Sequence, residues 1–422
     1  MLHWKKRDPA DASAVAPDER LPWPQTMAMG LQHVVAMFGA TVLAPRLMGF
    51  DANVAILMSG IGTLLFFVVT RGKVPSYLGS SFAFIAVVLA TTGFSGGGAN
   101  PNLGVALGGI IACGALYALI GLAVMATGTA WIERLMPPVV TGTVVAVIGL
   151  NLAGIPIKTM APTAFDAWMQ AMTCVVLALV AVRSRGMAQR LLILVGLILA
   201  TLVYAALTNG LGFGTPVSLA PIAAAPWLGL PGFAAPVFSA PAILLIAPVA
   251  FVLVAENLGH LKAVAAMTGR DMDPHISRAF LGDGLATMLA GASGGTGVTT
   301  YAENIGVMAA TRVYSTAIFV VAGIVAVLLG FSPKFGALIQ AIPLAVMGGV
   351  SIVVFGLITV AGIRIWVENR VDFSQPANLM IVAIALVLGT GDFTLRFGDF
   401  ALGGIGTATF GAILLHALLR GR

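Results

Sequence analysis

Two carboxylic acids and an imidazole stand where the chain is otherwise apolar. Glu256 and His260, in Ala255-Glu256-Asn257-Leu258-Gly259-His260, are four residues apart, so a helix places them on one face, one turn from each other. Glu303 follows a hydroxyl-rich stretch, Thr299-Thr300-Tyr301-Ala302, in a second apolar run. A carboxyl group set between dry and wet surroundings can take up and release a proton, and its anion accepts hydrogen bonds from N–H donors. The three groups therefore suit a binding site linked to protons. The bland alternative is a buried Glu–His pair that fixes helix packing. A metal site is the third reading. It lacks the second His one turn away that metalloprotease helices carry, and no Cys joins the set. No metal or organic cofactor is expected, and a proton would be the ion such a site couples to.

The other polar residues of these runs read differently. His33 and His416 also fall within apolar runs, and His416, with no evident acidic partner, reads as a packing residue. Asp283 lies between Gly282 and Gly284 near one end of its run. It reads as a helix cap or as the partner of a cation such as Arg278, outside the site. Asn151 and Gln340 read as local hydrogen-bonding groups near span ends.

The elements that position these residues must be membrane spans. Of 422 residues, 59% are apolar and 9% charged, against about 25% charged in an ordinary soluble domain. So few charges cannot cover a soluble globule. The composition also excludes a disordered chain and a nucleic-acid binder. The net charge of +6 comes from Lys and Arg placed singly or in small groups between apolar runs, as topology signals are. Cys113 and Cys174 each sit inside an apolar run and read as packing residues. Residues 1–24 mix Lys5, Lys6, Arg7 and Arg20 with Asp8, Asp11, Asp18 and Glu19 before any apolar run, and read as a short cytosolic tail without a signal peptide.

Apolar runs predict fourteen spans, centred near residues 35, 62, 85, 115, 146, 175, 200, 250, 285, 306, 323, 353, 384 and 410. The uncharged stretch 211–240 reads as an extracellular loop joining two halves. With the N-terminus inside, only Arg46, Lys158, Lys334 and Arg396 of the 22 Lys and Arg fall outside. The cytosolic set includes Arg190, Arg420 and Arg422. One missed or invented span would reverse every later loop and destroy this asymmetry.

The halves resemble each other. Pro138-Val139-Val140-Thr141-Gly142 opens the fifth span and Pro343-Leu344-Ala345-Val346-Met347-Gly348 the twelfth, at an offset of 205. Gly79-Ser80-Ser81-Phe82-Ala83 in the third span matches Thr299-Thr300-Tyr301-Ala302 in the tenth, at an offset near 219. Seven spans per half is odd, so the second half enters upside down, as in secondary transporters. In spans three and ten the hydroxyl-rich stretch predicts a few extended residues near the midplane followed by a half-helix whose N–H groups face a cavity. Two ordinary helices with small residues at a packing interface are the alternative.

At Glu303-Asn304-Ile305-Gly306-Val307-Met308-Ala309-Ala310-Thr311-Arg312 the chain resembles the signature of the nucleobase–ascorbate transporter family. Further matches are Leu31-Gln32-His33 with Met37-Phe38-Gly39-Ala40-Thr41, Pro75-Ser76-Tyr77-Leu78-Gly79-Ser80-Ser81-Phe82, and the Glu256–His260 segment. Within the family it resembles the bacterial uracil permeases, and the resemblance covers nearly the whole chain from about residue 22. It implies an all-α polytopic membrane protein with fourteen transmembrane spans in a seven-plus-seven inverted repeat, and short antiparallel strands in spans 3 and 10. A core domain would cover 25–130 and 241–332, a gate domain 131–212 and 333–422, and 213–240 would be the extracellular loop.

The implied function is a proton-coupled symporter, not an enzyme, that imports uracil and related pyrimidines across the inner membrane. Both termini would be cytosolic, and a homodimer in lipid is implied. Glu256 would bind the ring's N–H and carbonyl edge, Phe82 and Ala302 would offer backbone groups, and Phe82 or Tyr301 the wall. Glu303 would bind substrate and carry the proton, with His260 and His33 in support. Ala302 replaces a Gly common in these permeases, and its methyl group would either narrow the pocket or shift the backbone approach, with consequences for substrate preference. Purine-type members are typically acidic where this chain has His260. The alternatives are a xanthine or uric acid permease and an anion transporter of the same architecture. The latter would need a mid-span cation, which the sequence lacks.

Overall fold

The computed structural model describes residues 3–7, 14–94, 98–185, 189, 191–397 and 400–419. Arg190, Arg420 and Arg422, and Asp8 and Asp11 of the tail, lie outside the described residues. The chain is mostly helical. The first half carries α1 (Trp23–Met48), α2 (Ala52–Val69), α3 (Phe84–Thr92), α4 (Leu103–Thr127), α5 (Ala130–Leu135), α6 (Pro138–Leu152), α7 (Gly154–Thr159), α8 (Ala164–Arg183) and α9 (Leu192–Ala205). The short α10 (Ala220–Ala224) interrupts the uncharged connection. The second half carries α11 (Ala240–Ile246), α12 (Val249–Thr268), α13 (Asp273–Ala292), α14 (Ala302–Thr311), α15 (Thr316–Gly330), α16 (Pro333–Gln340), α17 (Leu344–Glu368), α18 (Pro376–Thr390) and α19 (Gly404–Leu419).

Among the described residues eight helical segments are long and apolar enough to cross a membrane, or nine if α15 and α16, bent by 83°, count as one. The chain is thus an integral membrane protein. Each of the fourteen centres read from the sequence falls within a helix, six of them outside those eight segments. Two of the six, α3 and α14, are half-helices: extended Tyr301 leads directly into α14, whereas a turn at Phe82-Ala83 separates α3 from the extended residues before it.

Small residues set the closest packing, because removing side chains lets helix backbones meet where no water helps drive association. A Cβ on Gly60 of α2 would stand 2.6 Å from the Gly323 carbonyl of α15, and one on Gly114 of α4 would stand 2.7 Å from that of Gly284 in α13. A separate seam joins α6 and α17, where a Cβ on Gly149 would stand 2.3 Å from the Phe355 carbonyl. Pro138 opens α6, and Pro343 stands just before α17. Asn151 of α6 donates to the Gly389 carbonyl of α18 at 2.8 Å, and both cysteines are free.

The tail folds onto one end of the bundle. β1 (Lys5–Lys6) pairs with β2 (Glu19–Arg20) in parallel. The Val15 N–H donates to the Arg312 carbonyl at 2.9 Å, and Trp4 Nε1 donates to Thr316 Oγ1 at 2.8 Å. Asp18 pairs with Arg270 at 2.5 Å.

Candidate functional site

The site begins with six extended residues. β3 (Leu78–Ser80) and β4 (Val298–Thr300) pair antiparallel, with Gly79 opposite Thr299. The ladder continues one step each way: the Tyr301 N–H donates to the Tyr77 carbonyl at 3.0 Å, and the Ser81 N–H to that of Gly297 at 2.9 Å. Two strands this short leave their outer backbone groups unpaired, which is costly away from water. A threonine on each side supplies the partner. Thr63 of α2 accepts from the Leu78 N–H at 2.9 Å. Thr287 of α13 accepts from the Val298 N–H at 3.2 Å and donates to the Val298 carbonyl at 3.0 Å. One turn earlier on the same two helices stand Ser59 and Asp283, so the two halves support the crossing in the same manner.

Each strand runs into a half-helix. Phe82 stands two residues before α3, whose first N–H groups close onto the preceding turn (Ile85 to the Phe82 carbonyl at 3.1 Å), and Ala302 opens α14. Ala302 is exposed and Glu303 half-buried, whereas Phe82 is buried. α12 lies alongside, and His260 Nδ1 shares a 2.8 Å hydrogen bond with Thr300 Oγ1 of β4. One turn back, Glu256 is half-buried, and its Oε2 is buried with no hydrogen-bond partner among the described residues. Glu256 lies within range of the charge of Glu303 and of Asp283. His260 is thus engaged with the strand, and Glu256 keeps a dry acceptor oxygen beside the crossing.

His33 and Tyr301 hold this arrangement from behind. The Asn304 side-chain amide donates to His33 Nδ1 at 2.9 Å and to the His33 carbonyl at 3.1 Å, tying α14 to α1 next to Glu303. The fully buried His33 ring packs on Phe319 with centroids 4.7 Å apart. The Tyr301 hydroxyl accepts from Thr41 at 3.1 Å and donates to the Ser80 carbonyl at 2.9 Å. Its ring lies over Gly79, where a Cβ would stand 2.4 Å from Cζ. Tyr301 therefore braces the crossing. Phe82 meets Phe355 of α17 edge to face, 5.8 Å between centroids.

Asp283 corrects the sequence reading. It neither caps α13 nor reaches Arg278. It is fully buried within α13 and accepts from the Asn257 amide at 2.6 Å, while Asn257 also reaches the Tyr117 hydroxyl at 2.8 Å. This network lies directly behind Glu256. Tyr117 and Phe355 escaped the sequence reading because an aromatic residue in an apolar run carries no signal. Asn257 lay within the quoted motif but appeared only as Glu256's neighbour. His416 is buried in α19.

The permease family Xan_ur_permease matches residues 24–397. A protein of Escherichia coli (strain K12) named "Putative pyrimidine permease RutG" is 67% identical over 418 residues, covering 99% of this chain and 95% of its own. The uracil permease of the same strain is 40% identical over 417 residues, covering 96% and 94%. Among solved structures, the transmembrane domain of the cyanobacterial bicarbonate transporter BicA superposes with a TM-score of 0.63 at 16% identity, over 92% of this chain and 97% of that one. That likeness concerns the fold.

Proposed function

The chain belongs to this permease family, and from that membership together with the strand crossing we propose that it is a proton-coupled symporter importing uracil and related pyrimidines. The dry, unpartnered Oε2 of Glu256 beside two half-helix N-termini carries the reading. Uracil is a flat neutral ring with alternating N–H donors and carbonyl acceptors. A carboxylate takes the N–H, backbone N–H groups near Phe82 and Ala302 take the carbonyls, and the Phe82 ring forms a wall. Relatives named as uracil and pyrimidine permeases support this substrate class. An anion would meet carboxyl groups here, which disfavours an anion carrier.

Glu303, in the first turn of α14, carries the coupling proton in this reading. His260 and His33 orient the strand and the half-helix around it. The fourteen helices at the predicted centres act as spans in a seven-plus-seven inverted repeat. The seams of α2 with α15 and of α4 with α13 hold a core unit (25–130 and 241–332), and that of α6 with α17 a gate unit (131–212 and 333–422). Phe82 and Phe355 meet between the two. The positive-inside asymmetry supports an inner-membrane protein with both termini cytosolic and residues 213–240 outside.

Uptake of labelled nucleobases into vesicles, with and without an inward proton gradient, tests the proposal. Uracil should accumulate chemically unchanged only with the gradient, and thymine should compete. Competition by xanthine without thymine would overturn the pyrimidine assignment, and accumulation indifferent to the gradient would overturn the coupling.

A further inference from the structure

Residues 211–240 contain no Asp, Glu, Lys, Arg or His, yet part of this connection is fixed like a folded element. The Lys334 N–H donates to the Pro226 carbonyl at 3.0 Å, and the Gly229 N–H to that of Phe331 at 2.9 Å. The Gly232 N–H donates to Asp51 Oδ2 at 3.1 Å, and the Val237 N–H to the Gly104 carbonyl at 2.8 Å. Residues 226–238 are thereby strapped across the elbow between α15 and α16 and across the starts of α2 and α4. The strap turns large apolar side chains outward: Trp227 is 78% exposed and Leu230 81%, with Leu228, Phe233 and Phe238 more than half exposed.

Its neighbours show what covers them. Ile324 and Leu328 point outward from α15, a helix of an integral membrane protein, and so face lipid. Just beyond Leu328 the chain bends by 83° into α16, which therefore runs across the axis of α15 with Leu338 exposed. In the first turn of α16 the Lys334 ammonium lies over the Trp227 ring, 4.9 Å from its centroid. Trp227 thus stands beside a lysine at the level where a lipid-facing helix ends. Trp and Lys together are the side chains that settle where acyl chains give way to headgroups. A strap that carries no charge and turns its large apolar side chains outward is unfavourable in bulk water.

We propose that residues 226–238, with α16, lie in the boundary between headgroups and acyl chains. This is the end of the bundle opposite the N-terminal tail, and Trp227, Leu228 and Leu230 are immersed in lipid. The strap is tied to the helix that carries Thr63, so it holds that end of the strand crossing at a fixed depth.

The test uses the full chain with Trp227 as its sole tryptophan, made by Trp→Phe at positions 4, 23, 131, 168 and 366. The protein is reconstituted with phosphatidylcholine brominated either near the headgroup or near the chain terminus. Most of the indole emission should be lost to the shallow bromine and less to the deep one, with little loss to aqueous iodide. Strong iodide quenching without bromolipid quenching overturns the proposal. Protection from both quenchers also overturns it, because protein, a second copy included, would then cover the patch. Trp366 donates to the Val139 carbonyl, so its loss could disturb folding. A spin label on Leu230→Cys, with Cys113→Ala and Cys174→Ala, gives an independent readout. Collisions with oxygen should exceed those with a water-soluble nickel chelate, and the reverse order overturns the proposal.

Discussion

Glu256 owes its candidacy to what its neighbours do with their own groups. His260, which shares its helical face, shares its Nδ1 hydrogen bond with Thr300, so it does not neutralise Glu256 as a packing pair would. A buried acceptor without a partner is unfavourable, and a ligand N–H relieves it. Glu256→Gln keeps the volume but turns one acceptor into a donor. Loss of a charge-assisted hydrogen bond costs about 1.5–3 kcal/mol, roughly 10- to 150-fold in affinity. Equilibrium binding of labelled uracil to the purified protein should show that loss, and unchanged affinity would remove Glu256 from the substrate site. Glu256 and Glu303 were legible in the sequence because a carboxyl in an apolar run is too costly to be incidental. Asp283 was visible but misplaced for a physical reason. Its flanking glycines read as a helix end, whereas they are positions of close approach: a Cβ on Gly284 would stand 2.5 Å from the Ala118 nitrogen of α4, and one on Gly282 would stand 3.1 Å from the Phe66 ring of α2.

The half-helices α3 and α14 were legible as elements, since hydroxyl-rich stretches interrupt two apolar runs. The register of β3 and β4 was not. Three-residue strands carry too little alternation to fix it, and the groups that do so, Thr63 and Thr287, sit on other helices. Thr287→Val preserves shape while removing both hydrogen bonds to Val298, leaving a buried backbone N–H and carbonyl unsatisfied. The expected cost is about 1–3 kcal/mol, read as a lowered melting temperature and weakened uracil binding. Thr63→Val should act likewise through the Leu78 N–H. Thr91→Val is the control. Its hydroxyl bonds only the carbonyl one turn back in α3, at 2.6 Å, so the effect should stay within about 0.5 kcal/mol. Equal losses in all three variants would mean that the threonines matter for helix packing and not for the strands.

Across the whole molecule, the tail and the coupling both link distant segments through charge. Partial burial alone would raise the Asp18 carboxyl, but the hydrogen bond and charge of Arg270, with Lys5 beyond, hold it below its ordinary 3.8. A depressed carboxyl stabilises the fold above its ordinary value, and that contribution is lost as pH falls through the depressed one. The pair is half exposed, so it is worth at most about 1 kcal/mol. Asp18→Asn should lower the melting temperature slightly at neutral pH, and the difference from the native chain should close in acid below the carboxylate range and in high salt. An unchanged melting temperature at neutral pH would place the tail's hold in backbone contacts that both chains keep, such as Val15 with Arg312. The coupling makes the larger claim. If Glu303 carries the proton, protonation and uracil binding favour each other by the same factor, because a neutral carboxyl tolerates the closed pocket while the anion requires water or a partner. Uracil should then bind more tightly as pH falls through the titration of Glu303. Glu303→Gln imitates the protonated side chain permanently, while Asn304 still ties α14 to His33 on α1. It should keep binding and the exchange of labelled for unlabelled uracil, yet lose accumulation against a gradient and most of the pH dependence of binding. If accumulation in Glu303→Gln vesicles keeps its normal proton dependence, the proton travels on another group. His260, which shares the helical face of Glu256 and itself bonds Thr300 of β4, is then the next residue to replace.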